Sequence, residues 1–193
     1  MSVATFDTFF SVGAVMVGLI AASALLLWLA ALVWPAATRR RDALAGSLGE
    51  QSLWLGWLVA VAATAGSLYY SLIANRMPCE LCWYQRIAMY PLTVVLLVGA
   101  TTRDRRIGKY ALPLAAVGFL LSGYHYLIQL FPDLETTSCS ATAPCTGRWV
   151  WEFGFVSIPF MALVCFAAII AAVLYDRASG SGEAPVPVAA GVP

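Results

Sequence analysis

Two pairs of closely spaced cysteines are the residues of this chain best suited to chemistry, and the first is Cys79 and Cys82 in residues 78–86, PCELCWYQR. Pro78 fits the first position of a predicted helix, where its missing N–H costs nothing. The spacing of three puts both sulfurs on one helix face. The positive helix N-terminus favours a thiolate there, and Arg86 adds a cation one turn further along. We interpret the stretch as a redox dithiol beside an anion-stabilising group.

The second pair, Cys139 and Cys145, lies in a later loop, and three interpretations of the four cysteines compete. Structural disulfides are the simplest, but a bridge across a two-residue gap removes little chain entropy. Four thiolates could bind zinc, although the second pair is spaced more loosely than in most zinc ribbons. We favour a relay in which electrons enter at the loop pair, pass to Cys79 and Cys82, and leave to a membrane acceptor.

The acceptor must be one that needs no nucleotide-binding or haem-attachment motif. Trp83 follows the first pair where a haem-attachment motif would have histidine, and no flavin fingerprint is present. A lipid-soluble quinone requires an apolar slot, a thiolate, and a cation or donor for the developing oxyanion. Cys82, Arg86 and His125 offer these groups. His125 is the only histidine of the chain. Because it is a polar residue within an apolar run, a functional role is about as well supported as a packing role.

The composition indicates that membrane-spanning helices position these residues. Of 193 residues, 61% are hydrophobic and 11% are charged, too few charges to cover a soluble domain. No basic stripe is present, so we expect no nucleic acid as partner. Apolar runs long enough to span a membrane are about 9–34, 52–73, 79–100, 110–131 and 155–175. We predict an all-α integral membrane protein, and read Cys165, in the last run, as a small buried hydrophobe.

The distribution of positive charge predicts the orientation. Eight of the eleven Lys and Arg residues follow the first, third and fifth runs, and three lie on the other side. The positive-inside rule makes the first side cytoplasmic, with the N-terminus and the four paired cysteines extracytoplasmic and the C-terminus cytoplasmic. We expect an extra N-terminal transmembrane helix with a short cytoplasmic loop in 1–51, a four-helix bundle in 52–176 with an outer loop at 132–156, and a disordered cytoplasmic tail at 177–193.

Three segments resemble the bacterial disulfide bond formation protein B (DsbB) family of quinone reductases, which reoxidise extracytoplasmic thiol oxidases. They are residues 78–86, residues 124–132 (YHYLIQLFP) followed by Cys139, and residues 157–159 (SIP). The resemblance covers about residues 52–175. It implies a four-helix transmembrane bundle in the bacterial inner (plasma) membrane that binds ubiquinone or menaquinone from the lipid and quinone pool. It also implies a DsbA-like thioredoxin-fold oxidase as partner.

The same resemblance implies a role for each cysteine of the two pairs. Cys139 forms the mixed disulfide with the partner, and Cys145 then exchanges with Cys79. Cys82 forms a thiolate–quinone charge-transfer complex or adduct. The loop cysteines are closer together than in the best-known members, which leaves the order of attack between Cys139 and Cys145 open.

The resemblance further places Arg86 and His125 at the quinone, and it makes the aromatic segment around Glu152 a helix lying on the membrane. The first apolar run falls outside the four-helix core. Two alternatives remain. A vitamin K epoxide reductase-like quinone reductase would have its loop cysteines before the Cys-X-X-Cys motif, whereas here they follow it. A non-catalytic membrane subunit with a four-cysteine zinc cap is the other.

Overall fold

The computed structural model describes residues 3–49, 51–135, 139 and 142–179, which form six α-helices. Five of them, all except α2, are long and apolar enough to cross a membrane, as predicted, so the chain is a multi-pass membrane protein. Single 3₁₀ turns lie at Arg105–Ile107 and Pro132–Leu134. The helices are α1 (Val3–Ala30), α2 (Pro35–Leu48), α3 (Gln51–Leu72), α4 (Glu80–Thr102), α5 (Gly108–Leu130) and α6 (Ile158–Ser179).

Small residues at the contacts let α3, α4, α5 and α6 pack into the predicted four-helix bundle. A side-chain carbon at Gly118 of α5 would collide with the ring of Phe166 on α6, and one at Gly56 of α3 would meet Ala172 at 3.2 Å. Phe166 is fully buried in the core that the four helices share. Transmembrane helices associate through such close packing because lipid supplies no hydrophobic force between them.

The extra helix α1 lies against α6 and reaches α3 near its own N-terminal end. A side-chain carbon at Gly18 would meet Val164 of α6 at 3.0 Å. The ring of Phe6 stacks on Tyr69 of α3 with 4.1 Å between centroids. The predicted arrangement of four helices plus one N-terminal helix is confirmed.

Arg76, in the turn between α3 and α4, links α1 to other segments of the chain through hydrogen bonds. It donates to Asp7 Oδ2 of α1 at 2.8 Å and to the carbonyl of Trp149. Its guanidinium also lies 5.6 Å from the ring of Tyr70. The side chains of Arg76 and Asp7 are only 17% and 10% exposed, so one nearly buried ion pair joins three separate segments.

The part of residues 1–51 that follows α1 is predicted to be a short cytoplasmic loop, but most of it forms the helix α2. Pro35 occupies the first helical position, where the lack of an N–H is harmless. Gly46 lies inside the helix, and Gly49, with φ 44°, is its C-cap. Packing against α6 overrides the weak helix propensity of glycine, and Ala45 is fully buried.

The structure corrects two further predictions, one for the segment around Glu152 and one for the start of the C-terminal tail. The segment around Glu152 is a tight turn and not a membrane-lying helix: Glu152 and Val156 exchange two backbone hydrogen bonds of 2.9 Å. Phe153 and Gly154 between them have φ 54° and 77°, values that no α-helix contains. Helix α6 continues to Ser179, through the start of the predicted tail, and residues 180–193 lie outside the described residues.

Removing the Asp7 carboxylate should destabilise the protein markedly. Asp7→Ala leaves the nearly buried Arg76 without its ion-pair partner, which costs on the order of 3 kcal/mol of unfolding free energy. Asp42→Ala is the matched control, because the Arg41–Asp42 pair is exposed (Asp42 55%) and contributes less than about 1 kcal/mol. Unfolding in detergent micelles measures both; equal effects would contradict a structural role for the Asp7 pair.

Candidate redox site at the cysteine pairs

The structure brings the four predicted cysteines together at one end of the bundle. Cys79 immediately precedes α4, and Cys82 lies in its first turn. Cys139 and Cys145 are joined by a disulfide with 5.8 Å between their Cα atoms. Cys79 and Cys82 are free thiols whose sulfurs lie 2.7 Å apart. Cys79 and Cys145 belong to one apolar cluster, against which Cys82 and Cys139 pack, so the two pairs are neighbours.

Cys79 is the N-cap of α4. Its backbone is extended (φ −75°, ψ 174°), and its sulfur accepts a hydrogen bond of 3.3 Å from the N–H of Cys82. The sulfur thus occupies the place of the oxygen that usually caps a helix, at the positive end of the dipole. Pro78 therefore precedes the cap, which corrects its predicted place as the first helical residue.

His125 connects the two cysteine pairs. Its Nε2 lies 3.6 Å from the Cys79 sulfur and 3.0 Å from the carbonyl oxygen of Cys145, while its Nδ1 lies 2.9 Å from Nε2 of Gln85. A carbonyl only accepts, so Nε2 carries the proton, and the Gln85 amide donates to Nδ1 of the neutral ring. The ring is 2% exposed, and its single N–H is shared between one cysteine of each pair.

The negative charge of the reduced pair belongs on Cys79. The hydrogen bond from the Cys82 thiol lowers the pKa of Cys79 to about 5. Burial opposes this shift, and the contact with His125 lowers the pKa further. Cys79 is therefore a thiolate at neutral pH, the form that attacks disulfides.

The loop that carries Cys145 is held against the end of α5. Gln129 donates from Nε2 to the carbonyl of Gly147 at 2.8 Å, and Arg148 donates from Nε back to the carbonyl of Gln129 at 3.0 Å. Gly147 allows a close approach here, because a side-chain carbon would lie only 3.0 Å from the carbonyl oxygen of Pro144. These contacts leave Cys145 fully buried, while Cys139 stays partly exposed.

A cavity of about 390 Å³ opens on the other side of the first pair, among α1, α3, α4 and α6. Cys82 and Arg86 line it, and Arg86 donates from Nε to the Ser67 hydroxyl (2.9 Å) and from Nη2 to the Ser71 hydroxyl. Within the described part of the chain no carboxylate lies within ion-pair distance of Arg86. The cavity therefore holds an uncompensated positive charge beside a cysteine in a mostly apolar lining.

The structure separates the two residues predicted to stand at a quinone. Arg86 lines the cavity, whereas His125 lies at the cysteines and is not among the described lining residues. Gln85 joins them, because it lines the cavity and bonds to the histidine. Sequence reasoning assigned no role to Gln85, Ser67 or Ser71, although polar groups within apolar spans are a signal that would have found them.

Metal binding by all four cysteines does not fit this arrangement. The sulfurs of Cys79 and Cys82 and a ring nitrogen of His125 do lie within 4.8 Å of one another. However, Cys139 and Cys145 are joined in a disulfide and cannot both act as thiolate ligands. A free pair next to a disulfide is the arrangement that disulfide exchange requires.

A helical membrane bundle with a thiolate at a helix N-terminus and an adjacent disulfide defines a membrane thiol–disulfide oxidoreductase. The chain belongs to the disulfide bond formation protein DsbB family, which matches residues 49–175. This confirms the family resemblance of the sequence motifs. The chain is a disulfide-forming membrane protein with oxidoreductase activity.

Curated relatives from several bacteria are similar over most of their length. Disulfide bond formation protein C of Bacillus subtilis is 46% identical over 119 residues, 61% of this chain and 86% of the relative. A probable disulfide formation protein of Coxiella burnetii is 45% identical over 119 residues, 61% of this chain and 81% of the relative. Probable disulfide formation protein C of Halalkalibacterium halodurans is 46% identical over 121 residues, 62% of this chain and 88% of the relative. No solved structure matches the chain significantly.

The ionisation of Cys79 can be measured directly. In the reduced protein with Cys165 replaced by alanine and the loop disulfide intact, ultraviolet thiolate absorbance should rise with a midpoint near pH 5. Cys82→Ala removes the strongest hydrogen bond to the thiolate, so the midpoint should move up towards the ordinary thiol value of 9.0. His125→Ala should raise it by a smaller amount. A midpoint that is the same in all three proteins would contradict the assigned hydrogen bonds.

Proposed function

We propose that this chain reoxidises an extracytoplasmic DsbA-like thioredoxin-fold oxidase and passes the electrons through its two cysteine pairs to a membrane quinone. One observation carries the proposal: the first pair lies between the loop disulfide and the apolar cavity. Cys79 contacts the histidine that bonds to the loop, and Cys82 lines the cavity beside Arg86. Electrons can therefore enter on one side of the pair and leave on the other.

Entry begins at the loop disulfide. Cys139 is the more exposed residue of the loop pair, so we infer that a thiolate of the partner attacks its sulfur, forming a mixed disulfide and releasing Cys145 as the leaving thiolate. The second thiol of the partner then attacks the partner's own sulfur in the mixed disulfide and releases Cys139. The partner leaves oxidised, and the loop pair holds two electrons.

Transfer to the first pair follows by the same chemistry. Cys145 attacks Cys79 in the oxidised first pair, which breaks the Cys79–Cys82 bond and releases Cys82 as a thiolate facing the cavity. Cys139 then attacks Cys145, which restores the loop disulfide and leaves the electron pair on Cys79 and Cys82. The His125 N–H, already shared between the two pairs, stabilises the negative sulfur during the exchange.

The cavity fits a quinone by its size, its mostly apolar lining and the charge of Arg86, whereas Arg76, which also lines it, is paired with Asp7. About 390 Å³ is within the usual range for small-molecule sites, and an apolar pocket with a few converging polar groups is their usual character. Either ubiquinone or menaquinone, when bound, supplies a two-electron, two-proton acceptor. Arg86, held by Ser67 and Ser71, would favour negative charge on that acceptor and on the Cys82 sulfur.

We also propose that the cysteine end of the bundle faces away from the cytoplasm. The clusters at 39–41 and 103–109 and the residue Arg177 belong to the opposite end, where positive charge marks the cytoplasmic side. An oxidising exterior would keep the loop cysteines disulfide-bonded, in line with the role given to them.

Purified protein, a reduced thioredoxin-fold dithiol protein and a soluble quinone test the function as a whole. The wild-type chain should reduce the quinone at a rate that depends on the dithiol protein. Cys82→Ser should abolish that turnover, because the second cysteine is the exit for the electrons, and the loop disulfide should remain. Quinone reduction that persists in Cys82→Ser, or that is absent in the wild type, would count against the proposal.

Arg86→Ala should weaken quinone use without affecting either cysteine pair. Loss of a charged donor costs roughly 1.5–3 kcal/mol, so the KM for quinone should rise about 10- to 100-fold. Arg41→Ala, which removes an arginine from the other end of the molecule, is the control and should leave KM as in the wild type. An unchanged KM in Arg86→Ala would remove this residue from the quinone site.

A further inference from the structure

The extra helix α1 forms one wall of the cavity. Phe9, Phe10, Gly13, Ala14 and Val17 of α1 all line it. This helix lies outside residues 49–175, the region that matches the family, so the family match does not account for this wall.

The cavity is polar on one side and apolar on the side of α1. Most polar groups come from α3 and α4, where Arg86 and Cys82 are joined by the hydroxyls of Ser67 and Ser71. Arg76, in the turn between these helices, also lines the cavity, but its charge is paired with Asp7. Every residue that α1 contributes is apolar. A molecule with a polar head and a long apolar chain matches this division, the head at the cysteine and the chain along α1.

Gly13 leaves open space at this wall. A side-chain carbon built there meets nothing within 4 Å, whereas one at Gly18 would press on Val164 and one at Gly66 on the ring of Phe10. Close helix packing explains Gly18 and Gly66 but not Gly13. The missing side chain at Gly13 instead widens the cavity on its apolar side.

The wall is held in position at several points. The Asp7–Arg76 ion pair and the stacking of Phe6 on Tyr69 fix its N-terminal part. Further along, the Tyr175 hydroxyl of α6 donates to the carbonyl of Ala24 at 3.0 Å. A side chain added at Gly13 should therefore fill the cavity rather than push the helix away.

We propose, on the basis of the quinone function proposed above, that α1 is the wall that receives the isoprenoid chain of the quinone. Gly13 is then a specificity-determining residue, since its lack of a side chain leaves room for that chain. The head of the quinone is held by other elements, so the role of α1 is selective for acceptors that carry a tail.

The experiment compares a prenylated quinone with a tail-less benzoquinone in the full-length protein. Gly13→Leu should raise the ratio of the two KM values, prenylated over tail-less, about tenfold. This is the change expected when roughly two methylene groups of the tail lose their burial. Gly46→Leu is the matched control, because a side-chain carbon at this helical glycine also meets nothing within 4 Å, and α2 does not line the cavity.

Gly13→Ala provides a second variant that adds a single carbon into the open space. It should raise the same ratio in the same direction by about two- to fourfold, and its folding is not at risk because alanine favours a helix more than glycine does. A ratio unchanged in both variants, with wild-type protein reducing both quinones, would overturn the role of α1 and leave the proposed function intact. Failure of the wild-type protein to reduce either quinone would instead overturn the proposed function itself.

Discussion

The shared N–H of His125 is the interaction on which the rest of the site depends. It reaches the Cys79 sulfur at the start of α4 and the Cys145 carbonyl of the loop between α5 and α6, and the Gln85 amide fixes the ring tautomer that makes both contacts possible. Without this bond a buried carbonyl would lose its donor, and the loop would lose a direct link to the first pair. One imidazole ring thus connects the two cysteine pairs.

The two cysteines at the N-terminus of α4 lie in two different environments. Cys79 caps α4 and meets the loop, where thiolate chemistry is supported by the dipole and by neighbouring donors. Cys82, three residues later, lines an apolar cavity with Arg86. The spacing of the motif therefore keeps the two sulfurs 2.7 Å apart while Cys79 packs with Cys145 of the loop and Cys82 lines the cavity.

Much of the architecture could be predicted because it follows from local pattern. Apolar runs of about 20 residues must form spanning helices, since a bilayer leaves no other way to satisfy the backbone. Prediction failed where distant packing decided the outcome. Residues 35–48 form a helix because α2 finds a partner in α6. The turn at Glu152 is a local exception, in which Phe153 and Gly154 adopt positive φ.

The sequence by itself determined the five spans, the two cysteine pairs and the family, because each depends on composition, on spacing within one segment, or on short motifs. Only the tertiary structure decided which side chains meet. In the folded protein His125 contacts the cysteines, whereas Arg86 lines the cavity. Helix α1 forms a wall of the same cavity, which Cys82 also lines. Those placements depend on how helices far apart in the chain pack, through contacts that no local pattern encodes.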